Sequence, residues 1–88
     1  MPTRFKDNKE YASMMSRLFR AYGKRISVSS PEDLVDLVAL QMELNESIVA
    51  SARSLHDAGF SWTEIAEPLG ITRQAARQRF GTPTQPPN

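Results

Sequence analysis

Arg73 and Arg77 stand four residues apart near the end of the chain, as do Gln74 and Gln78, so one helical turn sets both pairs on a common side. Arginine reads guanine edges in the major groove and glutamine reads adenine; both also reach phosphate. Thr72 precedes this segment with a hydroxyl and nearby free N–H groups suited to a backbone phosphate. Arg79 lies to one side and suits phosphate better than base. Ala75 either meets a thymine methyl or simply fills space. These residue types point to double-stranded DNA; the competing reading is a terminal helix of ordinary solvated side chains.

Little else in the chain suggests chemistry. Cysteine is absent, which excludes disulfides, thiolate metal sites, iron–sulfur clusters and cysteine nucleophiles. His56 is the only histidine, has no nucleophile at a defined spacing, and reads as a surface residue near a helix end. No acid, base and nucleophile set is evident, so no enzyme activity, cofactor or metal is expected.

The elements that must position these residues read as all-α. Asp7 and Glu10 make a capping-box spacing that starts a basic helix over 8–23, with Gly23 as its stop. Tyr11, Met14, Met15, Leu18, Phe19 and Tyr22 form one apolar stripe, expected to be core. Arg17, Arg20 and Lys24 lie off it. Ser30-Pro31-Glu32-Asp33 signals a second start, with Ser30 as cap. The pattern that follows runs over 31–58, a helix of about 42 Å if unbroken. Such a helix exceeds the roughly 12 Å radius of gyration of a compact chain this size. Either it breaks near 42–45 or its free part packs on a second chain.

Ser61 and Glu64 form a further capping box, with Phe60 and Ile65 at hydrophobic-staple spacing. A helix from Trp62 to about Leu69 follows, with Pro68 kinking it or ending it at Glu67. Gly70 permits a turn, Thr72 caps a last helix over 72–80, and Gly81 with Pro83 ends it. Leu55, Ile65, Leu69, Ile71, Ala76 and Phe80 are the expected core. Trp62 either covers Leu55 or stacks on the sugar–phosphate backbone. The tail, 81–88, is expected to be disordered, and 1–88 to be a single domain.

Residues 59–80 read Gly-Phe-Ser-Trp-Thr-Glu-Ile-Ala-Glu-Pro-Leu-Gly-Ile-Thr-Arg-Gln-Ala-Ala-Arg-Gln-Arg-Phe. This stretch resembles the helix-turn-helix of sigma-factor region 4 and related small actinobacterial and phage regulators, over a little more than a third of the chain (48–80). The resemblance implies a helix-turn-helix over 61–80 that binds DNA, with Arg73, Gln74, Arg77 and Gln78 on bases and Thr72, Arg79 and Trp62 on the backbone. Pro68 departs from the pattern and puts the crossing angle in question. A sigma factor proper is not expected, because the chain has no room for a promoter −10 region.

Charge is segregated. Residues 1–29 carry seven Lys/Arg against two acids, residues 30–60 carry Arg53 against six acids, and the whole chain nets +1; one expectation is that the first segment packs against the second within the chain, their charges facing each other. One recognition helix reads only about three or four base pairs, at ~1–3 kcal/mol per good contact. A homodimer is therefore expected, built on Leu34, Leu37, Val38, Leu44 and Ile48, with 9–22 packed across it as an option. The leading expectation is a sequence-selective DNA-binding protein acting in transcription or phage and mobile-element regulation. The alternative is a helical interaction adaptor, docking on RNA polymerase or another protein. No membrane span or signal sequence is seen, so the expected compartment is the cytoplasm.

Overall fold

The computed structural model describes residues 7–81. Among these the chain is all-α, with four α-helices and no strand. α1 (Asn8–Ser27) is followed by a 3-10 turn (Pro31–Asp33), α2 (Leu34–Asp57), α3 (Trp62–Leu69) and α4 (Arg73–Ala76), which runs on into a π turn (Arg77–Gly81). The chain divides into two compact units, Met1–Leu40 and Gln41–Asn88, and the division falls inside α2. Arg4, Lys6 and the expected tail beyond Gly81 lie outside the described residues.

In the first unit Asp7 caps α1 as its spacing predicts, its carboxylate accepting the Glu10 N–H at 2.9 Å. The helix does not stop at Gly23. It continues to Ser27, because Gly23 keeps a helical backbone rather than a positive φ. Lys24 and Arg25 then favour the carbonyl end of the helix dipole. The cap expected of Ser30 is not made. The Ser29 hydroxyl instead hydrogen-bonds the Asp33 carboxylate. A bond from Ser30 and one from its own backbone N–H hold the Glu32 carboxyl below its usual range, so this turn loses support as pH falls through that lowered value.

The apolar stripe of α1 is not core: no described residue of this unit is buried. Tyr11 and Leu18 are 59% and 57% exposed, while Phe19, Tyr22 and Ile26 are half-buried. α2 is continuous through 42–45, and of the expected dimer residues Leu34, Val38, Leu44 and Ile48 are exposed and Leu37 half-buried.

The second unit holds the core: Ala52, Trp62, Ile65, Ala66, Ala76 and Phe80, with Val49 and Ile71 packed against it. Two glycines make its corners. Gly59 (φ 118°) lets the Phe60 N–H reach the Leu55 carbonyl and its own N–H reach His56. Gly70 (φ 70°) repeats this with Ile71 to Ala66 and Gly70 to Glu67. Both are Schellman closures, which need a residue that tolerates positive φ. The Ser61–Glu64 capping box is complete, at 2.8 and 3.0 Å. α3 runs through Pro68 to Leu69 rather than ending at Glu67.

Two expected core residues are not core. Leu69 and Leu55 are 54% and 47% exposed, and Trp62 and Ala52 take their place. Ile65→Ala is expected to cost about 2–5 kcal/mol and Leu69→Ala well under 1 kcal/mol. Urea melts of the two variants check the contrast.

Candidate nucleic-acid interface

α3 and α4 pack on each other across the three-residue turn Gly70-Ile71-Thr72. Ala76 and Phe80, four apart, have no exposed surface, which turns one side of the last segment wholly inward. Arg73, Gln74, Arg77, Gln78 and Arg79 are all exposed, and Ala75 is half-buried at the margin. Among the described residues, the side chains of Arg73, Gln74, Arg77 and Gln78 make no hydrogen bond or ion pair. Residues 73–81 hold three arginines and no acid. On α3, the Glu64 carboxylate is already committed to its capping box. The segment thus presents uncommitted donors and positive charge outward from a rigid base, an arrangement suited to phosphate and base edges.

The remaining expected contacts are placed differently. Thr72 Oγ1 accepts the Ala75 N–H at 3.0 Å, so its lone pairs serve the cap while its O–H stays available. The Arg79 guanidinium lies 5.2 Å from the Phe80 ring centroid and 3.5 Å from Asn45 Oδ1, the outer limit of a hydrogen bond. Trp62 is buried, and its ring stacks on His56 at 4.0 Å and 16°. Little of its face is left for a sugar–phosphate backbone. The last segment also ends one residue later than expected: Gly81 belongs to the π turn. A Cβ at Gly81 would stand 3.2 Å from Arg77 Cγ and 3.3 Å from Trp62 Cζ2, so the missing side chain lets the backbone close over the indole.

Two residues that hold the site were not expected to do so. Arg53, half-buried on α2, donates from Nε to the Phe80 carbonyl at 2.7 Å. This satisfies a carbonyl at the end of the last segment and places a cation at the negative pole of its dipole. Its sequence signal is that it is the only Lys or Arg between Ser30 and Phe60, an acidic stretch. His56 is not an ordinary surface histidine. Its Nδ1 lies 2.8 Å from the Phe60 carbonyl, and a carbonyl only accepts, so Nδ1 carries the proton. The ring thereby ties the Gly59 corner to Trp62.

Among the described residues there is no helix long and apolar enough to cross a membrane, and no group of His, Cys, Asp or Glu placed to hold a metal ion. Comparison with protein-family models, curated proteins and solved structures gives no match.

Replacing Arg53 by Met keeps most of its stem and removes the charged donor. The expected loss is about 1.5–3 kcal/mol, read as a lowered urea midpoint with an unchanged slope.

Proposed function

We propose that this protein binds double-stranded DNA sequence-selectively, as a small transcriptional or phage and mobile-element regulator. In this reading 61–80 is a helix-turn-helix, and the segment after Thr72 lies in the major groove. One observation carries it: Arg73, Gln74, Arg77 and Gln78 are exposed and uncommitted among the described residues, while Ala76 and Phe80 on the same segment are 0% exposed. A solvated surface helix needs no such fixed presentation. A groove reader does, because bidentate pairing with a base edge tolerates little misplacement.

The roles divide by geometry. Arg73 and Arg77 match guanine N7 and O6, and Gln74 and Gln78 match adenine N6 and N7. Thr72 and Arg79 take phosphates. Thr72 uses its free O–H, and Arg79 swings from its long contact with Asn45. Trp62 has no role on DNA here, since the core uses its ring. The resemblance of 59–80 to sigma-factor region 4 supports the same assignment.

The test is selection of bound duplexes from random sequence, then titration of wild type, Arg73→Ala and Arg77→Ala at two salt concentrations. Loss of a guanine contact is expected to cost about 1–3 kcal/mol and relax the preference at one position. Arg79→Ala is expected to weaken all sequences alike and reduce the log-affinity against log-salt slope by about 0.9. Affinity unchanged in the Arg73→Ala/Arg77→Ala double variant would overturn the reading.

A further inference from the structure

α1 and the first half of α2 carry more bare apolar surface than a lone chain should leave in water. Ten apolar side chains on these stretches, four on α1 and six on α2 before Val49, are between 38% and 68% exposed. At roughly 60–120 Å² of buriable apolar surface per large side chain, half of it exposed, they offer on the order of 450 Å². A standard stable interface takes about 800 Å² from each partner, of which roughly 60% is apolar, so the supply matches the apolar part. The need is also energetic. α1 has twenty residues, one of them Gly23, and none buried. A helix of this length gains most of its stability from covering an apolar face rather than from propensity.

The charges indicate what covers it. α1 with its caps holds Lys9, Arg17, Arg20, Lys24 and Arg25 against Asp7 and Glu10. From Glu32 to Asp57 Arg53 faces six carboxylates. An α1–α1 or α2–α2 pairing therefore sets like charge against like. An α1–α2 pairing between chains sets opposite charge together, and a second copy supplies both halves at once.

We propose that the protein forms a two-fold homodimer in which α1 of each copy packs its Tyr11–Leu18 face on the Leu34–Ile48 face of the partner's α2. This proposal is independent of the DNA reading, and its test contains no nucleic acid. The full chain is weighed by sedimentation equilibrium across a concentration series, with helicity followed by circular dichroism. Wild type is expected at twice the 9.9 kDa chain mass. Leu18→Asp and Val38→Asp are each expected to raise the dissociation constant by about 100-fold or more.

Mixing decides the pairing. A Leu18→Asp chain keeps a sound α2, and a Val38→Asp chain keeps a sound α1. An equimolar mixture regains one intact contact and is expected to associate more tightly than either variant alone. A monomeric wild type with full helicity would overturn the proposal, pointing to cover within the chain or by a foreign protein. A dimer that both substitutions leave unchanged, or a mixture no tighter than its components, would overturn it equally.

Discussion

The burial of Phe80 is the constraint from which the order of the second unit follows. The ring has no exposed surface, and the carbonyl of the same residue is held by Arg53 at 2.7 Å. Side chain and backbone are thus fixed from two directions at the end of a short segment. A four-residue α-helix with a π turn has no stability of its own; its orientation is imposed by what it buries. Because Ala76 is inward one turn earlier, the azimuth of the whole segment is set, and the arginine and glutamine pairs face out. Presentation of those donors is a consequence of core packing.

Corners and caps make that packing reachable. Gly59 and Gly70 end their helices by the same pair of closing bonds, and the Ser61–Glu64 box opens α3 between them. The carbonyls and N–H groups that helix ends would leave unpaired are thereby used locally. His56 adds a cross-tie, bonding the Phe60 carbonyl while lying flat on Trp62. Stacked aromatic pairs of this kind contribute about 0.5–1.5 kcal/mol beyond burial. Gly81 lies against the indole, where an added Cβ would stand 3.3 Å from Cζ2.

The first unit is organised on another principle. α1 is capped by Asp7 and carries a clear apolar stripe, yet none of the unit's described residues is buried. Local signals suffice to write a helix, but they do not cover its apolar side. Opposite net charge on α1 and on the Glu32–Asp57 stretch makes pairing of like helices unfavourable.

Much of the local structure was legible in the residues. The caps at Asp7 and Ser61, the corner at Gly70 and the alternation that puts Ala76 and Phe80 opposite Arg73 and Arg77 all follow from spacing, because they depend on neighbours within about four positions. Which apolar residues are covered did not follow. Leu69 and Leu55 fit the pattern as well as Ile65 and Ala52, yet the first two stay exposed. Gly23 reads as a stop and is carried through within α1, since nothing at that point draws the backbone to positive φ. Arg53 on the Phe80 carbonyl joins residues twenty-seven apart, and the stacking of His56 on Trp62 crosses a chain reversal. Such contacts are decided only when separate helices meet, because burial and long-range hydrogen bonds belong to the assembled unit and not to any single segment.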